Sequence, residues 1–268
     1  MTFSIDYISL KGNFFSKNLN RQVKFRLMAP GNYRIAENRF PVLLMNDGQD
    51  FNAMGLENTI SKCYLDKNIR PFVYIGIETN EHRINEYGTA VSGDFKGRGK
   101  KALHYSKFII EEFIPFLKGE FKVSYDGKQW AYMGMSLGGL SAFDIVYNNA
   151  NCFSKVGVFS GSFWWRNKAY VQNDLADRSR IILDVIKNGK YHPHLKFWFQ
   201  VGTLDENADR NNNGIIDAID DTKDVIKELN LKGYSLSDIF YLEIENGKHN
   251  LSTWASVFPD FLKWAFGM

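Results

Sequence analysis

In the stretch Tyr132-Met133-Gly134-Met135-Ser136-Leu137-Gly138-Gly139-Leu140, an apolar run passes into a helix-forming segment within a few residues. Trp130 to Met133 reads as a buried strand and Leu137 to about Tyr147 as a helix, so Gly134 to Gly138 must reverse the chain. Glycine suits both flanks, because a backbone that doubles back so tightly leaves no room for a Cβ. Ser136 is then the apex. Its hydroxyl is lifted clear of the sheet, and the free N–H groups of the following helix favour negative charge beside it. The pattern is Gly-x-Ser-x-Gly, the nucleophile elbow.

The segments around the elbow alternate between strand and helix. Ser4 to Leu10 and Gln22 to Met28 show β-type alternation and open the chain as an antiparallel pair. Phe40 to Asn46, Pro71 to Ile77, Val156 to Ser160, Leu195 to Val201 and Ile239 to Ile244 read as buried strands. Ile60 to Leu65, His104 to Leu117, Tyr170 to Lys187, Ala218 to Leu229 and Leu251 to Phe266 read as helices, with Pro115 distorting the last turn of its helix. Glu78 to Lys101 is a long polar loop rich in glycine. This order predicts an α/β fold with a mainly parallel sheet covered by helices on both faces. Without a linker, repeat or low-complexity segment, residues 1–268 are expected to form a single domain.

Composition narrows the partners. Hydrophobic residues make up 44% and charged residues 24%, as in an ordinary globular protein. A net charge of +3 is too small to argue for nucleic acid or a membrane surface. Cys63 and Cys152 lack metal-ligand spacing and read as reduced and structural. No secretory leader is visible, so the expectation is a soluble cytoplasmic protein, or a secreted or periplasmic one if a signal peptide has been removed.

In open α/β sheets, ligands bind beyond the carboxyl ends of the strands. Ser136, Asp205 and His249 each follow such an end. A serine hydroxyl needs an imidazole to take its proton, and the imidazole needs a carboxylate to fix its tautomer. The order Ser, Asp, His along the chain is that of α/β-hydrolases. Glu206 is the alternative acid. The backbone N–H groups of Leu137 and Gln49 are the candidate oxyanion donors, with Gly48 permitting close approach.

These pieces resemble the putative-esterase branch of the α/β-hydrolases, which includes feruloyl and acetyl-xylan esterases, enterochelin esterases and S-formylglutathione hydrolases. The matching segments are Val42 to Gln49, Arg83 to Tyr87, Gly134 to Gly139, Phe159 to Trp165, Gly202 to Asp205, and Gly247 to Asn250 with Trp254. The resemblance implies an α/β-hydrolase fold and a serine carboxylesterase with Ser136, Asp205 and His249 as triad. It also implies that Arg83, Glu86 and Tyr87 shape the active-site rim. Asn46-Asp47 departs from the His-Gly pair of the S-formylglutathione branch. The expected substrate is a small-molecule or carbohydrate-linked ester, feruloyl or acetyl, with Trp164 or Trp165 stacking on a ring. A siderophore trilactone, attracted by Arg98 and Lys100, is the alternative enzyme substrate. A non-catalytic carbohydrate-binding protein on the same scaffold is the alternative of another class.

No cofactor is required for this chemistry. Asp209, Asn211, Asn213, Asp217 and Asp220, with Gly214 between them, follow an EF-hand-like spacing that suits a structural calcium ion. An Asn-Gly turn capping the next helix accounts for the same residues. Both readings stand at this point.

Overall fold

A computed structural model describes residues 7–66, 68–171 and 179–268. Eight strands form one sheet in the order β1-β2-β4-β3-β5-β6-β7-β8. β1 (Tyr7–Ser16) and β2 (Arg21–Pro30) pair antiparallel, and β2 joins β4 (Val73–Ile77) antiparallel. From β4 onward every pairing is parallel, through β3 (Val42–Asn46), β5 (Trp130–Met135), β6 (Lys155–Phe159), β7 (Lys196–Leu204) and β8 (Ile239–Lys248).

The central strands are apolar without alternation because both their faces are covered. On β3, Val42 and Leu44 belong to one core cluster while Leu43 and Met45 belong to the other. The first cluster lies under α3 (Ala102–Lys107), a π-helical stretch (Phe108–Phe113), α4 (Ile114–Glu120), α5 (Leu137–Asn148) and α6 (Ile181–Asn188). The second lies under α1 (Leu56–Leu65) and α8 (Leu251–Phe266), whose buried Trp254, Val257, Phe258, Phe261 and Leu262 follow helical spacing. Among the described residues the remaining α-helices are the short α2 (Arg83–Glu86) and α7 (Asp217–Lys232).

Several expectations shift. The part of the first expected strand over 4–6 falls outside the described residues; from Tyr7, β1 runs to Ser16, past Lys11-Gly12-Asn13, whose glycine and asparagine suggest a turn, because pairing with β2 carries the strand through it. Pro115 lies in the first turn of α4, and the distortion comes before it, in the π-helical stretch, which accommodates the missing N–H donor. The helix expected from Tyr170 begins at Ile181, and the part of that expectation over 172–178 falls outside the described residues. Among the described residues, no helix is long and apolar enough to cross a membrane.

Candidate active site

The elbow joins β5 to α5 through a single residue. Ser136 has φ 54° and ψ −125°, a conformation that L-residues avoid at a cost of about 1–3 kcal/mol. Its neighbours hold it there. The Ser136 N–H donates to the Phe159 carbonyl (2.9 Å), and the Ser136 carbonyl accepts from the N–H groups of Gly139 (3.0 Å) and Ser162 (3.1 Å). A Cβ on Gly134 would lie 2.2 Å from the Gly138 carbonyl oxygen, so only glycine fits that strand end. Ser162 Oγ stands 3.4 Å from Ser136 Oγ, a contact between separate elements that no local pattern signals.

Leu137 opens α5, where an N–H group has no intrahelical acceptor. Across the neighbouring strand β3, Asp47 takes the left-handed conformation (φ 58°) and a one-turn 3-10 helix follows from Gly48 to Phe51. Gln49 therefore also presents a first-turn N–H. Asn46 links the two donor-bearing segments, its Nδ2 donating to the Gly138 carbonyl at 2.8 Å. The hydroxyls of Tyr105 and Tyr132 donate to Asn46 Oδ1 at 2.8 and 2.6 Å, fixing the amide's orientation.

Asp205 follows β7 and His249 follows β8. His249 Nδ1 lies 3.8 Å from Asp205 Oδ2, with the imidazole 39% exposed and the carboxylate 1% exposed. Neither Asp205 oxygen has a hydrogen-bond partner among the described residues. A buried carboxylate without a donor is costly, and His249 is the group placed to supply one. The gap is longer than a hydrogen bond. Trp254 packs edge-on against the imidazole, centroids 5.1 Å apart, and its Nε1 donates to Ser160 Oγ at 2.8 Å. This ties the His249 loop to the segment that contacts Ser136.

His249, Asp205, Glu206, Trp164, Ser160 and Gly161 line a cleft of about 210 Å³. Glu206, the alternative acid, is committed elsewhere: it accepts from the Ala218 N–H, and burial, then Asp217, push its carboxyl above the ordinary range. A larger cavity of about 530 Å³ lies between the 90–92 loop and α6, reaching Asn148 at the end of α5. At 1.5 Å per residue, that is roughly 18 Å along the helix from Ser136, too far to serve it directly.

The expected rim residues are placed differently from one another. Glu86 is fully buried and receives Arg21 Nε and Nη2 at 2.8 and 2.6 Å. Tyr87 is also buried, its hydroxyl accepting from the Asp47 N–H at 3.1 Å. Neither side chain stands at a rim; burial in the fold turns both inward. Arg83 is partly exposed and grips Asp47. Of the adjacent tryptophans, Trp165 is fully buried and Trp164 faces the cleft. Arg98 stacks on both, about 5 Å from each ring, and its Nε donates to Asp94 Oδ2 at 2.6 Å.

The Asp209 to Asp220 loop closes on itself. Asp209 accepts from the Asn213 and Gly214 N–H groups, while the Asn211 and Asn213 amides donate to Asp220 Oδ2. Asp217 instead accepts from the N–H of Arg210 at 2.9 Å. The Asn211 and Asn213 Oδ1 atoms accept from the N–H groups of Asn213 (3.1 Å) and Ile215 (2.8 Å), so these side chains hold the loop's own turns, while Asp217 is turned toward Arg210. Among the described residues, no three His, Cys, Asp or Glu side chains are gathered as a metal site.

Residues 16–265 match the family described as Putative esterase. The chain belongs to that family. Membership makes it a hydrolase acting on esters, on an α/β-hydrolase scaffold of the putative-esterase branch. Among relatives, Bacillus subtilis (strain 168) YbbA is 26% identical over 249 residues, covering 91% of this chain and 92% of that protein. The fold is similar to that of a ferulic acid esterase (TM-score 0.72, 14% identity, 97% of this chain and 98% of that one). It is also similar to the enterochelin esterase of Shigella flexneri (TM-score 0.74, 17% identity), covering 96% of this chain and 57% of that longer one.

Proposed function

We propose that this esterase is a serine carboxylesterase working through an acyl-enzyme on Ser136. The observation that carries the reading is the buried, unpartnered Asp205 carboxylate facing His249, together with a serine held in the elbow conformation at the end of β5. His249 takes the Ser136 proton as Oγ attacks the ester carbonyl, and Asp205 stabilises the imidazolium. The Leu137 and Gln49 amides receive the oxyanion. His249 then protonates the leaving alcohol, and water, activated by the same imidazole, releases the acid and regenerates the serine.

The substrate we favour is a carbohydrate-linked feruloyl or acetyl ester. Trp164 supports it, as the ring-stacking surface on the cleft. The trilactone alternative relies on free cationic loop residues, and Arg98 is already engaged by Asp94. Calcium, where bound, would brace the segment after Asp205 and take no part in the chemistry.

The test is Ser136→Ala on a short-chain nitrophenyl ester. Turnover is expected to fall on the order of a million-fold, and a fluorophosphonate probe is expected to label Ser136 in the parent protein alone. Unchanged hydrolysis by the variant would remove Ser136 from the mechanism. Rates on feruloyl, acetyl-sugar and catecholate esters then rank the substrates.

A further inference from the structure

We propose that Asp47 and Arg83 are a positioning pair for the oxyanion site, the arginine fixing the aspartate between the two amide donors and cancelling its charge there. The inference rests on the Ser136 mechanism above.

Asp47 is 2% exposed, and both its oxygens are occupied. Oδ1 receives Arg83 Nε at 2.7 Å and Gln49 Nε2 at 3.2 Å; Oδ2 receives Arg83 Nη2 at 2.8 Å. The Gln49 side chain is held at its other end, where Oε1 accepts from the Thr79 N–H at 3.0 Å. One donor residue is thereby clamped to the carboxylate through its own side chain. On the opposite side, Asp47 Oδ2 would lie 2.6 Å from a Cβ on Gly138, the residue after Leu137. The same carboxylate therefore abuts the segments carrying both proposed donors.

A naked carboxylate in that position would oppose the reaction. Negative charge develops on the substrate oxygen in the transition state, and a like charge nearby, shielded from water, raises its energy. The bidentate guanidinium removes this penalty and, being planar, fixes the carboxylate's orientation as an ammonium would not. The Arg83 fork is engaged by Asp47, Nε on Oδ1 and Nη2 on Oδ2. This geometry suits transition-state support and not substrate capture.

The experiment compares Arg83→Met, Arg83→Lys and the double variant Asp47→Asn/Arg83→Met with the parent protein. Readouts are kcat, KM, and inhibition by phenylboronic acid, whose serine adduct is a tetrahedral anion. Arg83→Met is expected to lose on the order of a hundred-fold in kcat, with KM within about three-fold and boronate inhibition weakened in parallel. The double variant, lacking both charges, is expected to recover at least about ten-fold of that loss. Arg83→Lys, which keeps the charge but not the fork, is expected to lose about ten-fold and covers the case in which Arg83→Met does not fold. Unchanged kcat in the Arg83 variants, a rise confined to KM, or no recovery in the double variant would overturn the proposal. Absence of fluorophosphonate labelling at Ser136 in the parent protein would instead overturn the mechanism on which it rests.

Discussion

Asp205 Oδ2 and His249 Nδ1 face each other at 3.8 Å, and the carboxylate has no hydrogen-bond partner among the described residues. Asp205→Asn keeps the shape but presents an amide that can hold the wrong imidazole tautomer. We expect kcat to fall about 10⁴-fold with KM little changed. Glu206→Gln, whose carboxylate caps the Ala218 N–H, is expected to change kcat by less than about three-fold. Steady-state kinetics on one activated ester checks both, and a larger loss from Glu206→Gln would exchange their roles.

Trp164 is the ring on the cleft, while Trp165 is sealed in the core beneath Arg98. Trp164→Ala is expected to raise KM for feruloyl esters about ten-fold and to leave acetyl esters within two-fold, since stacking contributes about 1 kcal/mol or more only when a ring is present. Equal effects on both ester classes would argue that Trp164 shapes the wall without recognising a ring.

Asp144 is a carboxylate buried within α5. Burial pushes its pKa up to about 7, opposed by hydrogen bonds from the Ala90 N–H and the Asn148 amide. Its folded-state pKa lies above the unfolded value near 3.8, so the folded protein binds the extra proton between those limits. The resulting stabilisation is complete at low pH and disappears as pH rises through about 7. Asp144→Asn should therefore gain stability relative to the parent as pH increases from 5 to about 8, by up to a few kcal/mol. Denaturant titrations across that range check it, and a difference independent of pH would refute the assignment.

Calcium binding is expected to engage Asp209, Asn211, Asn213 and Asp220, with Asp217 released from Arg210. Millimolar calcium should raise Tm by several degrees over a chelated sample, and Asp209→Asn with Asp220→Asn should abolish that rise. Esterase turnover below the melting range should be unchanged by the chelator. An identical Tm with and without calcium would leave the loop as an Asn-Gly turn ahead of α7.

The sheet and the three candidate chemical groups were legible because each depends on local pattern. Apolar runs mark strands buried on both faces, and Gly134 and Gly138 mark the turn at Ser136. Long-range partners leave no such trace. In the sequence Asp47 stands out only as a departure from the His-Gly pair, because its partner Arg83 is brought to it by the neighbouring strand. The resemblance places Glu86 and Tyr87 at the active-site rim, yet Arg21 from β2 and the Asp47 N–H draw them inward. Ser162 and Ser160 were invisible for the same reason: their contacts run to Ser136 and Trp254, on different elements.

The order of strands assigns unequal security to the parts of the proposed machinery. Ser136 hangs from β5, flanked by strands on both sides, whereas His249 follows β8, which among the described residues pairs with β7 alone and is about half exposed along its length. A peripheral strand opens more readily than a central one. Transient fraying of that edge would withdraw the base while leaving the nucleophile and its helix folded. On the proposed mechanism, activity is then expected to be lost at a lower temperature or denaturant concentration than folded structure.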